Sequence, residues 1–582
     1  MSKNLVSNLL IDYLEDRGVE HIFGLCGHTN IAFLSQVEES SINFVNVRHE
    51  QISAHMADGY ARVTKKASVL LSHLGPGLTN AATGVANAAL DSIPMVVIAG
   101  DIPSHYYGKH PHQEVNLHSD AAQFEIYRPF VKRAWRVDRP DLMPEIIEKA
   151  FQLAETGRPG PVLISVPMDI FSKEIDPALF NRVKQHTRSI TKPSMSEEKA
   201  KEIIEKLVNS NNPVIYAGGG VMLADAAEEL REFNEHFDIP VAHSLMGKGV
   251  VSDDSDLTLG MTGFWGTKFI NEKTRTADTI FALGTQFAEA DSSSWESEYT
   301  FDIPNTKLIH IDINAEEIGR NYPAEIGVIA DLKEALTVLN RVAKELYPMG
   351  ISNERIKKEI AENRKAFRSS NEELRKDNSF PLMPQRILAD VEVVIPKDAY
   401  ITTDVGWNKN GVGQQFPVYQ AGRILTPGGF ATMGFGAPAA MGAKIASPDS
   451  VVVSLVGDGG FGQNPALLAT AAEENIPVIW IIMNNSAFGT ISGLQKAHFD
   501  TTYGTVFEKS ADFAAIAQAY GVEGIKVNAA DEFKPALEKA IRLNKPVVID
   551  VPMINNPVPT DGHWNIMDIY SPGKEVHHVS VN

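Results

Sequence analysis

Short apolar runs rich in β-branched residues alternate with helix-like stretches along most of the chain. This alternation predicts parallel β-sheets covered by helices, which is an α/β fold. The pattern restarts twice, so we expect three sheets in succession. The predicted strands are Val19–Phe23, Phe44–Val47, Ser68–His73, Met95–Ala99, Val162–Val166, a run starting at Pro213, Thr279–Leu283, Leu308–Ile313, Ala399–Thr403, Val451–Val456, Val478–Met483 and Val547–Val551.

Polar stretches separate the three blocks and suggest where the domains end. We place the domains at residues 1–183, 190–348 and 379–582, the last with a C-terminal tail. The segment 349–378 is rich in Lys, Glu, Arg and Asn, which predicts a solvated helical linker.

Composition narrows the class of protein and of ligand. The 582 residues are 43% hydrophobic and 22% charged, as in an ordinary globular protein. A formal charge of −20 repels polyanions, so we expect small molecules as ligands, not nucleic acid or a membrane surface.

The start of the chain and its cysteine content bear on the compartment. The positions Leu5, Leu9, Leu10 and Leu14 follow helical spacing, which predicts an amphipathic helix, not a secretory signal. No apolar run approaches the roughly 18 residues that a bilayer requires. Cys26 is the single cysteine, which excludes an intramolecular disulfide. We therefore expect a cytoplasmic protein.

Two strand ends near the C-terminus carry oxygen ligands. Gly457-Asp458-Gly459-Gly460 follows one buried strand, and Asn484-Asn485 follows the next, so that Asn485 stands 27 positions after Asp458. A parallel crossover brings both strand ends to the same sheet edge, where ligands bind in α/β folds. Carboxylate and amide oxygens suit Mg²⁺, and the glycines let backbone N–H groups approach a phosphate.

These motifs and others across the chain carry a family resemblance. The others are Arg48-His49-Glu50-Gln51 with the helical segment that follows it, Gly75-Pro-Gly, Gln113-Glu and Gly157-Arg-Pro-Gly-Pro-Val. Together they resemble the thiamine diphosphate- and Mg²⁺-dependent enzymes of the acetolactate synthase-like family. The resemblance implies a pyrimidine-binding, a central and a diphosphate-binding domain. It also implies a homodimer or homotetramer with the cofactor held between subunits.

The resemblance implies specific roles for residues in the outer domains. Asp458, Asn485 and the carbonyl of Ala487 would bind Mg²⁺, and Met433 would hold the cofactor bent. Glu50 would activate the cofactor, because a carboxyl group on the pyrimidine nitrogen favours the tautomer that creates the nucleophilic ylid. The residues expected to contact the cofactor are Glu50, Gly75, Asn408, Ala431, Met433, Gly457, Asp458, Gly459, Gly460, Asn485, Ala487 and Gly489.

The substrate loops depart from the synthase pattern. His28 stands in a loop that usually reads Pro-Gly-Gly, His73 precedes Gly75, and His112 replaces a Phe beside Gln113. His73 is similar to a histidine of benzoylformate decarboxylase, and dione-cleaving relatives such as cyclohexanedione hydrolase carry a histidine at the place of His28. An imidazole transfers protons at neutral pH. We expect His28, His73, His112 and Gln113 to act on the substrate.

Further differences leave the reaction open. Met168 and Gln286 stand where synthases commonly have the Lys or Gln and the Arg that help to bind flavin or a second oxo acid. Gly218-Gly219-Gly220 resembles the dinucleotide site of flavin-binding relatives, yet relatives without FAD keep such glycines. The leading hypothesis is a lyase or carboligase acting on a 2-oxo acid or 1,2-dicarbonyl through a carbanion. The alternatives are acetolactate synthase proper, a flavin-dependent 2-oxo acid oxidase and a non-catalytic relative.

Overall fold

The structure is a computed structural model that describes residues 4–118, 122–184 and 190–555. Its strands form three six-stranded parallel sheets, which confirms the predicted α/β class. The predicted C-terminal tail beyond residue 555 lies outside the described residues. Within the described ranges, every helix is too short or too polar to cross a bilayer.

The first sheet has the strand order β2-β1-β3-β4-β6-β5. Its central strands are buried at every position, as expected where helices cover both faces of a sheet. The strands are β1 (His21–Gly24), β2 (Asn43–Asn46), β3 (Ser68–Ser72), β4 (Met95–Asp101), β5 (Ala134–Arg136) and β6 (Pro161–Pro167). The helices are α1 (Val6–Asp16), α2 (Ile31–Val37), α3 (Glu50–Thr64), α4 (Pro76–Leu90), α5 (Met143–Glu155), α6 (Met168–Phe171) and α7 (Ala178–Lys184).

The second sheet has the order β12-β11-β10-β7-β8-β9 and separate apolar cores on its two faces. The strands are β7 (Pro213–Ala217), β8 (Val241–His243), β9 (Thr258–Met261), β10 (Thr279–Leu283), β11 (Lys307–Asp312) and β12 (Ile326–Ile329). The helices are α8 (Glu197–Val208), α9 (Gly220–Leu223), α10 (Ala227–Phe237), α11 (Lys268–Arg275) and α12 (Leu332–Leu346). Two more helices, α13 (Glu354–Ser370) and α14 (Glu372–Arg375), occupy the predicted linker segment.

The third sheet repeats the order of the first, as β14-β13-β15-β16-β18-β17. Its strands are β13 (Tyr400–Thr403), β14 (Ile424–Leu425), β15 (Val452–Gly457), β16 (Ile479–Asn484), β17 (Glu523–Lys526) and β18 (Val547–Pro552). Its helices are α15 (Pro384–Val394), α16 (Trp407–Gln415), α17 (Gly436–Ala446), α18 (Asp458–Phe461), α19 (Leu467–Glu473), α20 (Gly489–Phe499), α21 (Phe513–Ala519) and α22 (Phe533–Leu543).

The first and third sheets share one apolar core, whose centre is the packing of α3 against α17. The two helices approach closely because each has a glycine at the contact. A Cβ on Gly59 would collide with the carbonyl of Ala439, and one on Gly442 would collide with the carbonyl of Met56. The helices therefore run antiparallel, with residue numbers rising along α3 as they fall along α17.

Candidate functional site

Glu50 lies at the carboxyl edge of the first sheet, where β2 leads into α3. It is the first residue of α3 and is only 6% exposed. The amide of Asn80, on α4, donates a 3.0 Å hydrogen bond to Oε2. The other carboxylate oxygen faces Gly77, where a Cβ would lie 3.2 Å from Oε1. A ligand nitrogen that reaches this oxygen could form a second hydrogen bond with the buried carboxyl group.

His73 follows β3 at the same edge and is held by two polar neighbours. Its Nδ1 lies 2.7 Å from Oγ1 of Thr29, and its Nε2 lies 3.0 Å from Oε1 of Gln113. With Gln113 as the acceptor, Nε2 carries a proton. The hydroxyl of Thr29 then donates to Nδ1 of a neutral imidazole.

His28 and His112 complete a cluster with His73. The His28 ring lies 4.7 Å from the His73 ring and 6.0 Å from the His112 ring, measured between centroids. Partial burial and the two neighbouring imidazoles lower the pKa of His28 below its usual value of 6.5. His28 is therefore mainly neutral at pH 7. The three histidines and Gln113, all predicted from the sequence, meet in one place.

Gly75 allows the backbone of Gln113 to pack closely against it in this cluster. Its backbone has a φ of +55°, and a Cβ there would collide with the carbonyl of Gln113. The amide N–H of Gly75 donates a 2.9 Å hydrogen bond to the side chain of Gln123, which the sequence did not single out. The side chain of buried Gln123 also donates a hydrogen bond to Ser165, which links the histidine cluster to β6.

Asp458, Asn485 and Ala487 meet at the carboxyl edge of the third sheet. Oδ1 of Asn485 lies 2.9 Å from Oδ1 of Asp458 and 3.0 Å from the carbonyl oxygen of Ala487. Turning the amide by 180° would pair its NH₂ group with both oxygens. A divalent cation among the three oxygens would satisfy them equally, and it would use an oxygen set that suits Mg²⁺.

The local electrostatics also favour a cation at this edge. Burial raises the pKa of Asp458 to about 6, although backbone N–H groups act in the opposite direction. A nearby positive charge would stabilise the ionised carboxylate. Within the part of the chain that the structure describes, no three His, Cys, Asp or Glu side chains form an alternative metal cluster.

Glycines and two larger side chains surround this oxygen set. A Cβ on Gly459 would lie 2.7 Å from Phe488 and 3.4 Å from Cε of Met433, so these three residues adjoin. Gly489 begins α20 beside Asn485, and Gly460 packs on Asp404. Asn408 lies 3.5 Å from a Cβ built on Gly457, and its buried Oδ1 lacks a hydrogen-bond partner.

Asp404 organises the loops around Met433 and was not predicted to do so. It is fully buried at the end of β13 and accepts hydrogen bonds from the N–H groups of Val405, Gly434 and Gly436. Burial raises its pKa in spite of these bonds. Its position at a strand end was the available signal in the sequence.

The two halves of the predicted site lie at opposite ends of the α3/α17 pair. Arg62, near the end of α3, lies over the Phe435 ring at 5.0 Å, beside Met433. Glu50, at the start of α3, is 12 residues away along the helix. At 1.5 Å per residue this separates the two levels by about 18 Å. Glu50 and the predicted metal ligands of one chain therefore lie at different levels along the α3/α17 pair.

A cavity of about 750 Å³ lies where the three sheets' loops meet. Gly218, Gly219, Gly220, Gln286 and Ala431 are among its lining residues, and the backbone of Ala431 has a φ of +48°. Its volume suits a ligand of nucleotide size.

Comparisons with known proteins match most of the chain. Three family models match, described as thiamine pyrophosphate enzyme, N-terminal TPP binding domain (residues 5–122), central domain (200–339) and C-terminal TPP binding domain (404–551). A "Probable acetolactate synthase large subunit" of Methanococcus aeolicus is 35% identical over 93% of this chain and 90% of its own length. The acetolactate synthase large subunit of Haemophilus influenzae is 32% identical over 95% of each chain.

Proposed function

Because the chain belongs to the acetolactate synthase-like family of thiamine diphosphate-dependent enzymes, we propose that it acts beside a carbonyl group of a 2-oxo acid or 1,2-dicarbonyl compound. The reaction would break or form the carbon–carbon bond next to that carbonyl. The observation that carries this proposal is the meeting of three histidines and Gln113 at the sheet edge that bears Glu50.

The third sheet would hold the diphosphate and its metal. Asp458, Asn485 and the carbonyl of Ala487 would supply three oxygens for Mg²⁺. Oδ1 of Asp458 and the carbonyl oxygen of Ala487 both lie within 3.0 Å of Oδ1 of Asn485. The side-chain NH₂ group of Asn408, which lies 3.5 Å from a Cβ built on Gly457, would donate to a phosphate oxygen beside the Gly457–Gly460 turn. Met433 and Phe488 stand beside this turn and would shape the bound cofactor.

Thiamine diphosphate supplies a nucleophilic carbon that adds to the carbonyl and stabilises the charge left by bond cleavage. Glu50 would hold a proton on the carboxylate oxygen that faces Gly77 and share it with the pyrimidine ring. Asn80 fixes the other oxygen, so the carboxyl group keeps one orientation. Its burial excludes water, which strengthens this hydrogen bond.

The histidine cluster would move protons on the substrate side. His28 is mainly neutral at pH 7 and can remove a proton from a hydroxyl group or from water. Nε2 of His73 is paired with Oε1 of Gln113, and this pair can orient a carbonyl or carboxylate oxygen of the substrate. Thr29 keeps the His73 ring in place.

The complete site would lie between two chains. Within one chain, Glu50 and the proposed metal ligands lie at levels about 18 Å apart along the axis of α3, so a second copy would supply the missing half. We therefore propose at least a homodimer. The exposed aromatic side chains of Phe430, Phe499 and Tyr503 belong to the third-sheet half and are available for such contacts.

The volume of the central cavity would suit FAD or another nucleotide. The acidic residues in its lining would oppose a bound phosphate group. The glycines after β7 line the cavity, and a Cβ on Gly218 or Gly220 would collide with the backbone of Gly284. Gln286, Glu289 and Asp291 form one wall, and burial raises the pKa of Asp291 to about 6. Arg158 on another wall is already paired with Glu317 at 2.8 Å. The visible absorption spectrum of the purified protein tests flavin directly.

Acetolactate synthesis is the second candidate, because relatives similar over more than 90% of this chain carry that name. The protein loaded with thiamine diphosphate and Mg²⁺ should be incubated with a panel of 2-oxo acids and 1,2-diones. Carbon dioxide and products are then followed by mass spectrometry. Cleavage or decarboxylation of single substrates supports the leading proposal, whereas pyruvate converted solely to acetolactate supports the synthase. No turnover with any member would contradict both.

A further inference from the structure

A buried ionic cluster joins the first domain to the loop that carries Met433. This loop, Thr426–Met433, connects β14 to the turn before α17. The cluster consists of Arg62 and Asp58 on α3 and Asp91 at the end of α4. The three side chains are at most 9% exposed.

The cluster bonds the loop at three backbone positions. Both carboxylate oxygens of Asp91 accept hydrogen bonds, from the N–H of Gly428 at 2.9 Å and of Gly429 at 2.8 Å. Nη1 of Arg62 donates to the carbonyl of Thr426 at 3.0 Å. These bonds to ionised groups are among the strong ones in proteins.

The two acidic residues hold Arg62 in the orientation that this requires. Its Nε lies 2.5 Å from Oδ1 of Asp58, and its Nη2 lies 2.7 Å from Oδ2 of Asp91. Asn87 donates a further hydrogen bond to Asp58 at 2.9 Å. A fork of fixed geometry thus points one N–H at the loop, which a lysine could not reproduce.

Gly428 lets Asp91 reach the loop. A Cβ at that position would lie 2.5 Å from Asp91 Oδ1 and 2.8 Å from the sulfur of Met246. Four residues after Gly429 comes Met433, and immediately beyond it Gly434 is bonded to Asp404. Met433 therefore lies between an anchor on its own domain and an anchor on the first domain.

We propose that Arg62 and Asp91 are positioning residues that fix the Thr426–Met433 loop and, through Met433, the shape of the bound thiamine diphosphate. This inference rests on the proposed function, in which Met433 contacts the cofactor. The contact between the first and third domains would thus help to shape the active site. Asp91 and Arg62 also line the central cavity, so a ligand there adjoins the same cluster.

The decisive variant is Asp91→Asn, which keeps size but removes the charge and one of the two acceptor oxygens. Arg62→Lys is the second variant, because it keeps the positive charge and loses the fork. Hydrogen–deuterium exchange of the full-length protein, with and without thiamine diphosphate and Mg²⁺, should show at least about tenfold faster exchange in peptides covering 426–433. Peptides covering 484–489, which contain two metal ligands, should not change.

The same variants should bind thiamine diphosphate about tenfold more weakly at saturating Mg²⁺ and change its near-ultraviolet circular dichroism. The matched control is Glu473→Gln, which breaks the 2.5 Å pair with Arg48 between the same two domains at the other end of α3. It should leave exchange in 426–433 and cofactor affinity unchanged.

Unchanged exchange in 426–433 in both variants would overturn the inference. Faster exchange with wild-type cofactor affinity and circular dichroism would also overturn it, because the loop would then move without consequence for the cofactor. Met433→Ala separates this failure from a failure of the proposed function. Weaker binding in Met433→Ala leaves the role of Met433 intact, whereas wild-type binding removes that role and the inference with it.

Discussion

The imidazole rings of His28 and His73 lie nearly edge to face, with their centroids 4.7 Å apart. His73 is fixed by Thr29 and Gln113, whereas His28 has the more exposed position in the pair. A substrate that reaches this edge would therefore meet one exposed and one buried, hydrogen-bonded imidazole.

We expect His28→Ala and His73→Ala each to bind thiamine diphosphate and exchange its C2 proton at wild-type rates, because Glu50 and the metal triad are untouched. Turnover should fall by roughly 10²–10⁴-fold, as for loss of a positioned acid or base. Steady-state kinetics and C2 exchange followed by NMR measure the two effects. Near-normal turnover in both variants would show that the histidines do not act on the substrate.

The acid limb of the kcat/KM profile should lie below pH 6.5, because burial and two imidazole neighbours lower the pKa of His28. Neutral His28 is the active form, so activity is lost as the pH falls through that lowered pKa. His112→Ala removes one neighbour and exposes the ring, and both changes raise the pKa. The acid limb should then move to higher pH. A limb that stays in place would exclude His28 as the titrating base.

Glu50→Gln should slow C2 proton exchange by orders of magnitude while cofactor still binds. Glutamine keeps the size and the contact with Asn80 but provides no acidic proton. Samples quenched at successive times in deuterium oxide give the rate of C2 proton exchange. A separate binding titration gives the affinity for the cofactor. Wild-type exchange in this variant would falsify the assigned role.

Asp458→Ala should abolish the Mg²⁺-dependent retention of thiamine diphosphate. The change removes one of the three oxygens that converge at the strand ends, and a hard cation needs them. Gel filtration with and without Mg²⁺, followed by cofactor analysis, measures retention. If the variant retains cofactor as the wild type does, the metal lies elsewhere.

Chains with different defects should complement one another. Co-expressed Glu50→Gln and Asp458→Ala chains, each inactive alone, should form mixed dimers in which one of two sites has both residues intact. Random pairing then restores about a quarter of wild-type activity in the mixture. The mixed dimer isolated through two different tags should have about half of wild-type activity. No recovery would place Glu50 and Asp458 of one chain in the same site.

The central strands were predictable from the sequence, and the edges of the sheets were not. All twelve predicted strands are present, with ends that shift by up to two residues, because long apolar runs mark strands buried on both faces. The missed strands are β5, β8, β9, β12, β14 and β17, which have two to four residues. Five of them lie at sheet edges or are only partly buried, so their apolar pattern is short.

Site residues were predictable where they belong to a short local sequence motif. Motifs at or near strand ends predicted Glu50, the histidines and the three metal ligands, and the structure brings the histidines together and places Asp458, Asn485 and Ala487 side by side. Their roles stay predictions. Asp91 and Arg62 were not singled out, because each looks like an ordinary charged residue at a helix end. Their task depends on Thr426–Gly429, more than 300 positions away in the chain. Only the packing of α3 and α4 on that loop reveals it.

The glycine contacts between α3 and α17 limit how this protein can vary. Because backbone meets backbone at Gly59 and Gly442, even alanine there would force the two domains apart. A deep mutational scan should find these two positions as intolerant as the catalytic ones, although neither carries any chemistry. The exposed face of α13 should tolerate nearly every substitution except proline. Positions that do not tolerate substitution in such a scan would thus mark the contact between the two domains as clearly as the active site.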